Sequence, residues 1–91
     1  MKYVLLGTLS GEWLTKHKQR VKAAKARLKE LGLTLEAQYY TQGEYDFVDV
    51  VEGEPQALLA FSVWYGAQGY GRIRSLPAFD SDTLAKAIAK G

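Results

Sequence analysis

Cysteine and asparagine are absent from this chain of 91 residues, and histidine and methionine each occur once. Without cysteine the chain cannot form a disulfide, a cysteine-ligated iron–sulfur cluster or a thiol nucleophile. No apolar run is long enough for a signal sequence or a membrane span, so a cytoplasmic location is expected. The scarcity of thermolabile residue types is typical of proteins from thermophiles.

Positive and negative charges are nearly balanced in this chain. The chain has 12 Lys and Arg against 10 Asp and Glu, a net charge of +2, which is too small to require a polyanionic partner. Seven basic residues lie in one predicted helix: Lys16, Lys18, Arg20, Lys22, Lys25, Arg27 and Lys29. No aromatic residue is interleaved with them, so a solvated helix face is favoured and nucleic acid is not an expected partner.

Two β-branched and aromatic runs flank a short turn in the middle of the chain. The first run covers residues 33–41 and the second residues 47–51, with the segment from Gln42 to Asp46 between them. Runs of this kind joined by a short connection that contains glycine, here Gly43, predict a β-hairpin.

The remaining pattern adds two strands and three helices around this hairpin. The predicted elements are a strand over Lys2–Leu9, a helix over Trp13–Leu31 that Gly32 ends, a helix that begins near Pro55, a strand over Tyr70–Leu76 and a helix over Thr83–Lys90. The order β-α-β-β-α-β with right-handed crossovers predicts a ferredoxin-like α+β fold. Its four-stranded antiparallel sheet would carry both helices on one face, within a single domain over residues 1–91.

The predicted strands are apolar on both faces. Strand one alternates Tyr3 and Leu5 with Val4 and Leu6, and strand three shows the same two-sided pattern. Burying the apolar surface of one copy contributes on the order of 140 kcal/mol, and ordering its residues costs about as much. Sheet faces of this kind need cover on both sides, which predicts a homodimer or higher oligomer, packed sheet to sheet as in dimeric α+β barrels.

One candidate site lies where strand three begins and the first helix starts. If Tyr45, Phe47 and Val51 face a partner sheet, alternation turns Asp46 toward the helices. It would then lie near Trp13, His17 and Arg20, and His17 sits at a core position of the helical stripe. One interpretation is proton transfer by His17 and Asp46, with Tyr45 nearby and Arg20 holding an anion. The other is structural, with Asp46 bound to backbone amides at the turn.

A second candidate site groups polar residues on the other sheet face. Its members would line the interior of a sheet-to-sheet dimer: Glu36, Gln38, Tyr40, Asp49, Arg72 and Arg74. Arginine side chains there could grip a small polar or anionic ligand. The alternative is a network of charged pairs that sets the dimer register. Neither site contains a metal-ligand cluster, so no metal and no cofactor are expected.

The segment Gly43-x-Tyr45-Asp46 at a hairpin turn, in a chain of about this size, resembles the GYD family. These are small bacterial and archaeal proteins for which the resemblance implies a ferredoxin-like fold. Gly32 after the first helix and Phe79 after strand four also match the family, whereas Pro77 departs from it. No reaction is assigned to the family, so the resemblance implies no catalytic residues.

Two classes of function follow from these observations. The first is a non-enzymatic domain that binds a small molecule or takes part in assembly, as a homodimer or larger oligomer. The second is a cofactor-free enzyme acting on a small organic substrate, with His17 and Asp46 transferring a proton. A fold of this kind hosts many functions, so the architecture alone does not choose between them.

Overall fold

The computed structural model describes all residues from Met1 to Gly91. Its elements are β1 (Lys2–Leu9), α1 (Gly11–Leu14), α2 (His17–Glu30), β2 (Thr34–Tyr40), β3 (Phe47–Glu52), α3 (Pro55–Ala67), β4 (Gly71–Pro77) and α4 (Ser81–Lys90). Every predicted strand and helix is present within a few residues, except that the first predicted helix is divided in two.

The division between α1 and α2 falls at Thr15 and Lys16. The Thr15 hydroxyl donates to the carbonyl of Glu12 at 3.3 Å, a local bond of the kind that competes with continued helix. The predicted helical stripe is therefore interrupted at its start. Leu14 and His17 are exposed, and the expectation that His17 occupies a core position is wrong.

The four strands form an open antiparallel sheet in the order β2-β3-β1-β4. β1 is central, with Leu5 paired to Asp49 on β3 and to Ser75 on β4. This arrangement confirms the predicted α+β class with a four-stranded antiparallel sheet. The two central strands are also the two that are apolar on both faces, which suits their position between neighbours.

The helices α2 and α3 cover one face of this sheet. The buried cluster between them comprises Tyr3, Leu5, Leu28, Leu33, Phe47, Val51, Leu58, Phe61, Tyr65 and Tyr70. Gly7 is required beside Phe47 on the adjacent strand, because a Cβ at position 7 would overlap the Phe47 ring. Leu5 and Val51 are fully buried at the centre of the cluster.

The facing of β3 is the reverse of the expectation. Phe47 and Val51 lie beneath the helices, whereas Val48 and Val50 lie on the uncovered face. Alternation correctly predicts which residues share a face, but it does not say which face the helices take. The larger side chains, Phe47 above all, occupy the space under the helices.

The last helix stands apart from this core. Every residue from Ser81 to Gly91 is exposed, and α4 begins where the Asp80 carboxylate accepts the backbone N–H of Thr83 at 2.8 Å. An N-cap of this kind confirms the predicted start of the helix near Asp80. None of the helices combines the length and the apolar character that a membrane crossing needs.

Candidate functional site

A buried arginine connects α1, α2 and the sheet. Arg20 is only 3% exposed, although it belongs to the basic run expected on the solvated face of the helix. Its Nη1 donates to the carbonyl oxygen of Trp13 at 3.1 Å, and its Nη2 lies 3.1 Å from Nδ1 of His17. The break after α1 leaves the Trp13 carbonyl free to accept this bond, so the guanidinium closes the end of that short helix.

His17 lies at the outer edge of this arrangement. A guanidinium can only donate hydrogen bonds, so Nδ1 of His17 is the acceptor in this contact. The other contact of the ring is with Tyr40, edge to face, at 5.2 Å between centroids. His17 is therefore oriented by Arg20 and Tyr40, and it has no contact with a carboxylate.

A buried carboxyl group lies deeper on the same side of the sheet. Asp49 is 6% exposed, stands directly across from Gln38 on β2 and has an Oδ1 atom without a hydrogen-bond partner. Burial raises the pKa of Asp49 from 3.8 to about 6, while Gln38 and the positive charge of Arg20 act in the opposite direction. The protein has no salt bridge between Arg20 and Asp49.

These polar groups line a small cavity between α2, α3 and the sheet. Its walls include Arg20, Gln38, Tyr40, Asp49 and Tyr65, together with apolar side chains of α2 and α3. The cavity has a volume of about 20 Å³, which is room for about one water molecule. A substrate-sized organic molecule does not fit there in this conformation.

Tyr65 lines the cavity but belongs to neither of the predicted sites. Its ring packs against Phe47 at 5.9 Å between centroids, and burial raises the pKa of its phenol above the usual 10. The phenol therefore stays protonated under ordinary conditions. The only signal in the sequence is the spacing of four residues from Phe61, which places both rings on the buried face of α3.

Asp46 lies at the hairpin, away from His17. Its Oδ2 accepts the backbone N–H of Leu9 at 2.7 Å, and its own N–H donates to the carbonyl of Gly7 at 2.8 Å. Gly43 has a φ of 128°, a value that favours glycine and suits its predicted role in the turn. These contacts match the structural interpretation of Asp46, and they do not join it to His17.

The second predicted grouping is divided by the sheet. Gln38, Tyr40 and Asp49 lie on the helix side, whereas Arg72 and Arg74 pair with Thr8 and Leu6 on the uncovered side. A β-bulge between Leu35 and Ala37 turns Glu36 to the uncovered side, where it forms a salt bridge with Lys2 at 3.0 Å. The expectation that Glu36 shares a face with Gln38 and Tyr40 is therefore wrong. A ligand site that uses both Asp49 and the two arginines is therefore impossible within one copy.

The uncovered side has a shallow depression of its own at one end. Tyr45, Arg72 and Arg74 line it together with Leu6 and Thr8. No group of three or more His, Asp or Glu side chains that could hold a metal ion occurs anywhere in the protein. The polar groups therefore form two separate sets, one under α2 and one on the bare sheet face.

Comparison with known proteins agrees with the motif at the hairpin. The chain is 39% identical over 62 residues to the glutamine synthetase and cystathionine beta-lyase binding protein of Thermus thermophilus, a match over 64% of this chain and 65% of that relative. The chain thus covers slightly less than two thirds of the relative. The family model of the GYD domain matches residues 3–88. The resemblance carried by Gly43, Tyr45 and Asp46 is confirmed, and the chain belongs to the GYD domain family.

Proposed function

We propose that this protein is a non-enzymatic binding and assembly protein that acts through contacts with other protein chains, its own copies included. The observation that carries the proposal is the apolar sheet face opposite the helices. Val4, Leu6, Val48 and Val50 form its centre, and no element of the chain covers them. These four side chains are half-buried in one copy, and an apolar sheet face that is left partly open to solvent is a site for association.

The total surface supports the same conclusion. One copy exposes 6232 Å², whereas a compact protein of its mass exposes about 5,300 Å². The excess of roughly 900 Å² is close to the area of about 800 Å² that each partner buries in a standard interface. The open sheet face and the detached α4 both contribute to this excess.

The finer form of the proposal is a ferredoxin-like fold whose sheets pack face to face in a dimeric α+β barrel. Charged residues surround the apolar centre of the open face: Lys2, Glu36, Arg72 and Arg74. In a sheet-to-sheet dimer these side chains would meet those of the partner and set the register of the two sheets. Their place at the edge of the face suits that role.

The cavity and the relative favour protein partners over a small substrate. The cavity under α2 has room for about one water molecule, and His17 and Asp46, the pair required for proton transfer, bind Arg20 and Leu9 instead of each other. The Thermus relative is named for binding two enzymes. We therefore propose that this protein binds enzymes of amino-acid metabolism, with glutamine synthetase and cystathionine beta-lyase as the first candidates.

Native mass spectrometry of two matched variants tests the assembly. Leu6→Lys places a charge in the centre of the open face, whereas Leu14→Lys makes the same change at an exposed position of α1. We expect the wild type and Leu14→Lys to share one oligomeric mass and Leu6→Lys to lose the sheet contact. A monomeric wild type, or a Leu6→Lys protein of unchanged mass, would contradict the proposal. A reproducible small-molecule adduct would instead favour a ligand-binding domain.

Biolayer interferometry tests the choice of partner. Immobilised protein is exposed to glutamine synthetase and to cystathionine beta-lyase from the same source, with bovine serum albumin as the control. Saturable binding of either enzyme supports the proposal. Binding no stronger than that of albumin for both enzymes would exclude these partners while leaving the result on assembly intact.

A further inference from the structure

The last helix of the protein has an apolar stripe that nothing in its own chain covers. Leu84 and Ile88, one turn apart, are 59% and 70% exposed, and on α3 Leu59 and Val63 are likewise one turn apart and 65% and 63% exposed. These four residues are among the most exposed aliphatic side chains of the protein. Two apolar pairs with the same spacing suit the contact of two helices.

The helix α4 extends away from the rest of the protein, and the overall dimensions reflect this. The radius of gyration is 14.4 Å, whereas a compact domain of this length has about 12 Å. An exposed amphipathic helix of ten residues is marginal in water by itself. Its stability therefore requires a partner surface for the apolar stripe.

The chain does not fold α4 onto its own α3. Ala78 is held at the sheet, where its N–H donates to the carbonyl of Lys2 at 2.9 Å, and α4 begins at Ser81. Only Phe79 and Asp80 lie between these two residues, so the three Cα–Cα steps from Ala78 to Ser81 span at most about 11 Å and keep the start of α4 near the sheet. Every residue from Ser81 to Gly91 is exposed, so no surface of the same chain covers α4 and a second molecule is left to do so.

We propose that α4 of one copy packs antiparallel on the outer face of α3 of a second copy, with Ile88 beside Leu59 and Leu84 beside Val63. The charges specify the direction. No charged residue occurs within α3, but Glu54 precedes it, and Lys90 lies at the last turn of α4. In the antiparallel arrangement Lys90 comes to Glu54, and the two helix dipoles are opposed. Gly66 and Ala67 at the end of α3 have small side chains, so the start of α4 of the other copy can approach that end closely.

This contact is separate from the open sheet face, and it rests on the proposed assembly function only in that both involve copies of the same chain. If both interfaces are two-fold and their axes meet at a right angle, together they close a tetramer. Loss of the α4 contact would then leave the sheet-to-sheet dimer, and loss of the sheet contact would leave copies held by their helices. The two proposals can fail independently.

Neighbouring positions of α4 provide a matched test. Ile88→Glu places a charge on the apolar stripe, whereas Ala89→Glu places the same charge on the solvent side of the helix. Both positions are exposed, so both variants should fold. We expect Ile88→Glu to weaken the association by at least about a hundredfold and Ala89→Glu to leave it unchanged, as measured by sedimentation velocity. Equal masses for both variants would overturn the proposal, even if Leu6→Lys disrupts the sheet contact.

Disulfide cross-linking tests the direction, and the absence of cysteine removes any background. A chain carrying Leu59→Cys and Ile88→Cys should oxidise to cross-linked oligomers faster than one carrying Val63→Cys and Ile88→Cys. Faster cross-linking of the chain with Val63→Cys and Ile88→Cys would overturn the antiparallel direction. The absence of cross-linking in both chains would overturn the contact itself.

A charge swap tests the proposed ion pair at the end of the contact. Lys90→Glu should weaken association by about two- to fivefold, and adding Glu54→Lys to that variant should restore it.

Discussion

The backbone N–H of Leu9 donates to the carboxylate of Asp46 at 2.7 Å, across 37 residues of sequence. This bond joins the end of β1 to the start of β3 at the hairpin that carries the family motif. Asp46 also donates its own N–H to Gly7, and its carbonyl accepts the N–H of Thr41 at 2.8 Å. The residue thus connects three segments of backbone.

Asp46→Ala should lower the free energy of unfolding by about 2 kcal/mol, because a partly buried N–H loses a charged acceptor. Urea denaturation measures this, with Glu44→Ala at an exposed position of the same turn as the control. If Asp46→Ala proves as stable as Glu44→Ala, the carboxylate has no structural role and the proton-transfer interpretation regains weight.

Asp49→Asn should stabilise the protein at neutral pH. The pKa of Asp49 is raised from 3.8 to about 6, so the folded state binds the proton more tightly than the unfolded state. The stabilising contribution of the protonated form is complete below pH 3.8 and is lost as the pH rises through 6. At pH 7.5 the ionised carboxylate costs up to about 3 kcal/mol.

Thermal and urea denaturation between pH 4 and 8 would measure this effect. The advantage of Asp49→Asn should be about 2 kcal/mol at pH 7.5 and should nearly vanish at pH 4. Asp82→Asn on the exposed α4 is the control, and its curve should follow the wild type. Parallel curves for Asp49→Asn and the wild type would show that burial does not perturb Asp49.

Gly71→Ala should be among the most damaging small substitutions. Gly71 has a φ of 152°, and a Cβ there would overlap the backbone carbonyl of Thr8 on the neighbouring strand. Because backbone atoms cannot move aside without breaking the β1–β4 ladder, we expect a loss of at least about 2 kcal/mol. Differential scanning calorimetry measures this loss. Gly11→Ala is the control and should have little effect on the melting temperature, because a Cβ at position 11 meets nothing within 4 Å. Similar melting temperatures for the two variants would contradict this geometry.

Arg20→Lys keeps the charge but removes the planar group that reaches two acceptors at once. A lysine cannot bind both the Trp13 carbonyl and Nδ1 of His17 in this geometry, so about 1–2 kcal/mol of stability should be lost. The near-ultraviolet circular dichroism of Trp13 should change as α1 loosens. Lys18→Ala, at an exposed position of α2, is the control and should leave both signals unchanged.

Much of the fold could be predicted because local patterns determine it. The hairpin runs, Gly32 after α2 and Pro55 at the start of α3 act within a few residues, and the structure places each where the pattern indicates. The break at Thr15 was not predictable from periodicity, because it depends on one side-chain bond to Glu12. The burial of Arg20 depends on the same break, which frees the carbonyl of Trp13.

The sequence by itself determined the order of the elements, most of the residues that share a strand face and the membership in the GYD family. These features depend on chain-local periodicity and on a short motif around Gly43. Only the tertiary structure decided which sheet face the helices cover, and only the register of β3 and β4 against β1 separated Asp49 from Arg72 and Arg74. The physical reason is that alternation is symmetric about the sheet, and the symmetry is broken only when large side chains such as Phe47 must pack against helices that are distant in sequence.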